Sequence, residues 1–222
     1  MIVAVAAEAI EFAGWLRHCM GVKRLSWPVE FAREAEWHGE RVTMVADGAG
    51  PRLAARALDV AKQQCGSIKA VMSVGLCGAL DPALRVGDIF TALGVRTESG
   101  DRAALLPRKM GAATRGVLFS LDRFVQTAAE KAQLRERGAS AVEMEAGGLR
   151  FGGPFYVVRV VSDTADEDFK LNFNLYRSAD GRFQKGRIAL AGMRHPGDLI
   201  RMAARAKSAS AALGDFLANC EL

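Results

Sequence analysis

Hydrophobic runs of five to seven residues, each stopped by Gly, Pro or acid, recur along this chain and read as strands buried on both faces. Ile2 to Ala6 is the first, and it runs straight into a helix start at Ala7-Glu8-Ala9-Ile10-Glu11-Phe12. Ile10, Phe12, Trp15 and Leu16 are expected to face the sheet there. Phe31 to Trp37 and Arg41 to Ala46 flank His38-Gly39-Glu40 and predict an antiparallel pair. A helix from Pro51 to about Gln64 follows the turn Asp47-Gly48-Ala49-Gly50. Lys69 to Val74 predicts the next buried strand, followed by the small residues Gly75, Cys77, Gly78 and Ala79, which leave room for a flat ligand. Gly87-Asp88 opens another strand, and 97–110 reads as a surface excursion. Gly116 to Ser120 predicts a strand, and a helix with its charges outward runs on to about Glu136. In the last third, 164–183 shows no period and reads as a loop able to act as a lid. A final helix follows Pro196-Gly197-Asp198. Leu199, Met202, Ala203, Ala206, Ala209, Leu213, Phe216 and Leu217 mark one face of it, flanked by Arg194, Arg201, Arg205 and Lys207. Alternating strands and helices predict an α/β sheet in one domain over 1–222.

The stretch Ala139 to Asp163 concentrates the candidate chemistry. Ala141-Val142 runs into Glu143-Met144-Glu145, and Phe155 to Val161, apolar except for Arg159, ends at Ser162-Asp163. In open α/β sheets, ligands bind at the carboxyl ends of strands. Acids at two strand ends would share one crevice, and buried charge is costly without a use. The alternative for Glu143 and Glu145 is a helix start whose dipole they favour. Glu11 is open to two readings as well, a solvated helix residue or a third acid facing the crevice. The Gly48-Gly50 turn suits close backbone approach, or is a simple tight turn.

Composition narrows the classes. Half of the 222 residues are hydrophobic and a quarter are charged, so a sizeable core needs no staples. The four cysteines (Cys19, Cys65, Cys77, Cys220) and three histidines (His18, His38, His195) are scattered, which argues against a zinc site or disulfide framework. A net charge of +5 permits attraction to anions, but it forms no single block and no nucleic-acid motif accompanies it. Reduced thiols and a start too short for a secretory or membrane segment predict a cytoplasmic protein. The basic final helix leaves room for peripheral membrane contact.

Several segments together resemble one family. VGLCGALDPALRVGDIF, AVEMEAGGL and VVRVVSDTAD resemble the three signature blocks of the nucleoside phosphorylase/nucleosidase superfamily, in order and spacing, with AEAIEF in the place of an N-terminal acidic cluster. Within it, FSLDRFVQTAAEKAQL, SADGRF and HPGDLIRMAARAKSASAAL most resemble the hopanoid-associated branch, for which removal of adenine from adenosylhopane is the expected reaction. The resemblance implies a mixed sheet flanked by helices, a homodimer or larger oligomer, a small-molecule nucleoside substrate, and no metal or other cofactor. It implies Asp163 as the acid acting on N7 of the purine, with Ser162 beside it, and Glu11 as the carboxylate activating water. It implies ribose contacts from Glu145, Met144 and Glu143, and base contacts from Phe124, Val125, Cys77 and Gly78.

The acceptor is the open choice. Phosphorylases of the family place an Arg and a Ser where this chain has Ser73 and Leu76, so the anion site looks dismantled and hydrolysis is favoured. Arg52 or Arg159 could supply charge from elsewhere, which keeps a phosphorylase as the alternative. Methylthioadenosine/S-adenosylhomocysteine nucleosidase is another reading, and a non-catalytic nucleoside-binding homologue is a third class.

Overall fold

A computed structural model describes residues 1–193 and 196–222; the side chains at 196, 198 and 199 are also outside the description. Arg194, His195 and the Leu199 side chain of the sequence reading therefore lie outside the described residues. The strands are β1 (Ile2–Ala6), β2 (Met20–Arg24), β3 (Phe31–Trp37), β4 (Glu40–Ala46), β5 (Ala70–Ala79), β6 (Ile89–Thr97), β7 (Gly100–Ala103), β8 (Thr114–Ser120), β9 (Ala141–Glu143) and β10 (Phe155–Asp163). The helices are α1 (Ala13–Leu16), α2 (Pro51–Gln64), α3 (Ala128–Glu136), α4 (Lys185–Gly192) and α5 (Pro196–Leu217). Together they form an α/β fold around one mixed sheet.

The sheet runs β10-β6-β8-β9-β5-β1-β4-β3-β2, with β7 added to β6. β10 also pairs with β5 in parallel, so β5, β10, β6, β8 and β9 close into a ring. β1 and β4 extend the sheet in parallel with β5. Period-two alternation assigns the faces. Val3, Val5, Val71 and Val157 pack with Ala54, Ala57 and Leu58 of α2. Ile2, Ala4, Met72 and Val158 pack with Phe12, Trp15 and the Ala209, Leu213 and Leu217 positions of α5. Arg159 falls on the same face of β10 as Val157 and Val161, and is fully buried.

One edge of β5 is shared. β1 pairs with residues 70–73 and β9 with residues 78–79, on opposite sides of a gap. The sheet divides there, and such a division leaves a crevice. Gly75, with φ of 141°, stands in the gap.

The structure corrects several expectations. β5 continues to Ala79 because residues 75–78 keep their ladder with β10, so the small residues lie inside a strand rather than beyond one. The N-terminal helix is only a 3-10 turn, Ala9–Phe12, followed by the four residues of α1. In that geometry Ile10 is exposed while Phe12 and Trp15 are buried. The 97–110 excursion contains β7, which folds back on β6 as a hairpin. β2 carries no alternation and is exposed throughout, which is why no apolar pattern announced it. α3 does not keep all its charges outward, since Lys131 is fully buried. On α5, burial holds at Ala209, Leu213, Phe216 and Leu217, whereas Ala203 is exposed.

α5 reaches the N-terminal turn by direct backbone contact. Gly14 N–H donates to Ser210 Oγ (3.1 Å), and Ser210 Oγ–H donates to Ile10 O (2.6 Å). A Cβ at Gly214 would stand 2.1 Å from the Gly14 carbonyl carbon. The turn that carries Glu11 is thus held from behind by a glycine contact. Gly214→Ala is expected to destabilise the fold by about 1–3 kcal/mol through overpacking, read as a lower denaturant midpoint; an unchanged midpoint would show that the helices separate freely.

Candidate active site

A cavity of about 410 Å³ opens where β1 and β9 part along β5. It lies within the size range of small-molecule sites. Glu11, Cys77, Gly78, Phe124, Val125, Glu143, Met144, Glu145, Ser162 and Asp163 all line it. The structure therefore brings every candidate residue of the sequence reading to one space, from five separate stretches of chain.

Glu11 is buried, contrary to its solvated reading. Its Oε2 accepts from Glu8 N–H (2.8 Å), and its Oε1 accepts from Leu76 N–H (2.7 Å). The second bond satisfies a donor on the unpaired edge of β5. The Gly-rich turn serves Glu145 in the same way, because Gly50 N–H donates to Glu145 Oε1 (3.1 Å). Gly50 holds φ of 110°, which a side chain would resist.

Glu143 is taken up by the protein. It accepts from Glu145 N–H (2.9 Å), from Ala146 N–H (3.0 Å) and from the Arg159 guanidinium. Arg159 also donates to Ser73 Oγ (2.6 Å) and Val74 O (3.2 Å), and approaches Glu145 Oε2 at 3.5 Å. A Cβ on Gly75 would meet both Glu11 Oε1 (2.3 Å) and Arg159 Nη1 (2.8 Å). Only glycine lets that carboxylate and that guanidinium approach β5 together. Gly78 has the same role beside Asp163, whose Oδ2 would lie 2.8 Å from a Cβ there. The space above these small residues thus holds side chains of the site as well as cavity.

Asp163 stands at the end of β10. Its Oδ1 accepts from Ser162 Oγ–H (2.7 Å), and its Oδ2 accepts from Lys131 Nζ (2.6 Å). Burial raises its pKa above the ordinary carboxylate range, against the opposing pull of Lys131. Phe124 is packed edge-on against Phe169 and Phe173, with centroids 4.9 Å away in each case. Its N–H and C=O are both bound by the Asn174 side chain (2.8 Å each), and among the described residues no hydrogen bond reaches the Val125 backbone. Sequence reasoning missed Lys131, Asn174 and the aromatic pair Phe169 and Phe173. They lie on a helix read as outward-facing and in a segment without period, so no local pattern marked them.

Burial also governs the other acids. It raises the Glu11 pKa, with Arg159 opposing. It pushes Glu145 up to about 8, helped by the neighbouring Glu143 and opposed by Arg159. The unfolded chain releases that proton near the ordinary value of 4.5, so the folded state holds the proton between the two values. Stability must therefore fall as pH rises from about 4.5 to 8, and level off above.

The cations around the cavity are paired. Arg123 bonds Glu130 (2.8 Å), Lys185 bonds Glu8 (2.6 Å), and Arg205 bonds Glu167 (2.6 Å). Arg52 lines a separate surface groove. Among the described residues, no group of His, Cys, Asp and Glu is arranged to hold a metal ion. No helix among them is long and apolar enough to cross a membrane.

Two outcomes are expected from this electrostatic arrangement. Arg159→Met strands the buried carboxylates and is expected to cost about 3–5 kcal/mol, as when one partner of a buried pair is removed, read by urea denaturation. The decline in stability between pH 4.5 and 8 is expected to shrink in Glu145→Gln; parallel pH curves for the two proteins would contradict the assignment.

The model of the phosphorylase superfamily matches residues 23–113 of this chain. In structure, 5′-methylthioadenosine/S-adenosylhomocysteine nucleosidase from Helicobacter pylori is similar at a TM-score of 0.69 and 20% identity, over 97% of this chain and 95% of that one. The corresponding nucleosidase from S. pneumoniae, bound to a transition-state inhibitor, gives 0.67 and 17%, over 96% and 99%. Futalosine hydrolase from Helicobacter pylori gives 0.69 and 18%, over 97% and 94%. The superfamily model thus matches residues 23–113, and the fold is shared with these nucleosidases across nearly the whole chain.

Proposed function

We propose that this protein is a purine nucleosidase that hydrolyses the N-glycosidic bond of a 5′-substituted adenosine. The observation that carries the reading is the charge balance of the cavity. Glu11, Glu143 and Glu145 surround a single guanidinium, Arg159. Burial raises the pKa of Glu11 and Glu145, and an oxocarbenium-like sugar cation beside them would favour their ionised forms, so the acids are placed to stabilise it as it develops. Glycosidases meet the same cationic transition state with paired carboxyl groups.

In this reading the purine lies between Phe124 and Asp163, and the ribose lies over Met144 and Glu145. The C1′–N9 bond breaks, its electron pair passes to the purine, and the Asp163 carboxyl proton moves to N7. Water attacks C1′ and gives its proton to Glu11, whose pKa burial raises, which favours proton acceptance. Glu143, held by two N–H groups and Arg159, serves to anchor Glu145 rather than to bind the sugar. Water is favoured over phosphate because Arg159 is committed to Ser73 and the carboxylates, and the cations lining the cavity are each paired.

Ile10, Phe183, Ile188 and Met202 also line the cavity, beside the paired Lys185 and Arg205. That lining supports an apolar 5′ substituent, with a lipid-tailed adenosine such as adenosylhopane as the substrate we favour. The nearby 3-10 turn, Phe173–Tyr176, and α4 provide the wall on which such a tail would lie.

Adenine release is expected from adenosine derivatives at equal rate with and without phosphate, and fastest from a lipid-tailed adenosine in a panel with adenosine, methylthioadenosine, S-adenosylhomocysteine and inosine. Strict phosphate dependence with sugar 1-phosphate formed would make the protein a phosphorylase. Asp163→Asn is expected to fold and to lose at least about 10²-fold in rate, the low end for general acid catalysis; undiminished turnover would remove Asp163 as the acid.

A further inference from the structure

Lys131 is a lysine with no exposed surface in a helix of otherwise ordinary amphipathic character. Its ammonium reaches three oxygens: Asp163 Oδ2 (2.6 Å), Thr164 O (2.5 Å) and Glu167 O (3.3 Å). Three donors meet three acceptors, which only the charged form of the side chain can satisfy. The Phe169 ring lies beneath, with Nζ 5.5 Å from its centroid. A buried lysine is costly unless fully paired, so its placement against the acid of the site calls for a use.

We propose that Lys131 is a positioning residue for Asp163: its ammonium fixes the carboxyl group against the cavity and stabilises the carboxylate left behind when the proton passes to the departing base. The inference rests on the nucleosidase reading. In the step, the Asp163 O–H bond breaks, an N7–H bond forms on the purine, and the new carboxylate is held by Lys131 through Oδ2 and by Ser162 through Oδ1. Without Lys131, that buried carboxylate would keep only its bond from Ser162. Lys131 also draws the backbone of 164–167 toward α3. Ala128 N–H to Asp168 Oδ1 (2.7 Å) and Phe169 N–H to Gln126 O (2.9 Å) reinforce that link. The acid and the aromatic wall beside it are therefore set by one helix.

The charged and titratable groups facing Asp163 are few. Lys131 approaches from α3, Glu167 from the segment after β10, and Cys77 from β5. Glu167 is itself paired with Arg205 of α5. Lys131 and the Ser162 hydroxyl favour the ionised acid, while burial and Glu167 oppose it. Removing the ammonium must move the acid's titration upward, and an acid that has to be protonated then stays active to higher pH.

The test is the pH profile of adenine release, as kcat/KM, for wild type and Lys131→Met. The variant is expected to lose about 10-fold or more at its optimum while its alkaline limb moves up by about 1–3 pH units, the shift an adjacent opposite charge commonly exerts. A fall in rate with the limb unmoved would show a merely structural lysine and overturn the proposal. A second comparison holds if Lys131→Met does not fold. Asp163→Asn and Asp163→Asn/Lys131→Met are expected to share the same residual kcat, because Lys131 acts on the chemical step through the carboxylate; a markedly lower kcat in the double variant overturns the proposal. Wild type releasing no base from any nucleoside would instead refute the nucleosidase reading, and the role of Lys131 with it.

Discussion

The site depends on one buried guanidinium set against three carboxylates. Arg159 has no exposure and lies in a strand whose neighbours are Val157, Val158, Val160 and Val161. A charge there is tolerable because Glu143 and Glu145 hold it and Ser73 and the Val74 carbonyl accept further bonds, although its Nε has no hydrogen-bond partner among the described residues. In turn the acids are tolerable only because of Arg159 and the backbone donors of Gly50, Leu76, Glu145 and Ala146. The cluster is self-supporting, and in the proposed reaction a sugar cation would draw Glu11 and Glu145 toward their ionised forms.

The fold makes that cluster possible by leaving a strand edge unfinished. β5 hands its edge from β1 to β9, and the open N–H at Leu76 is capped by Glu11 instead of by a strand. Glycine at 75 and 78 clears the volume that Glu11, Arg159 and Asp163 occupy. On the far side, α5 holds the Glu11 turn through Ser210, so a C-terminal helix helps to set an N-terminal carboxyl group that lines the cavity. Packing and chemistry are thereby joined through a handful of contacts separated by nearly the length of the chain.

Much of this was legible in the sequence. The acids of the 139–163 stretch could be placed at strand ends because an apolar run that stops at an acid marks where a buried strand leaves the sheet. Their order and spacing in the chain also resembled one superfamily, which located Phe124, Cys77 and Glu11. What stayed hidden was long-range. The burial of Glu11 depends on an edge left open in β5, and its local neighbours say nothing of that. Lys131 sits among exposed charges on α3, and only the end of β10 accounts for its burial. The two parts of α5 look alike in apolar spacing, yet Leu213 and Leu217 pack on the sheet while Met202 and Ala206 line the cavity. Helical periodicity identifies a face, not what the face meets.

The central claim is that the cavity orients a purine nucleoside with its base on Asp163 and its sugar on Glu145. The most direct measurement is a crystal structure with an adenosine analogue whose N9 is replaced by carbon, so that it cannot be cleaved. The account predicts N7 within hydrogen-bond distance of Asp163, the ribose diol on Glu145, a water between Glu11 and C1′, and the 5′ group toward Ile188 and Met202. A purine bound elsewhere, or a sugar turned away from Glu145 and Glu11, would contradict it.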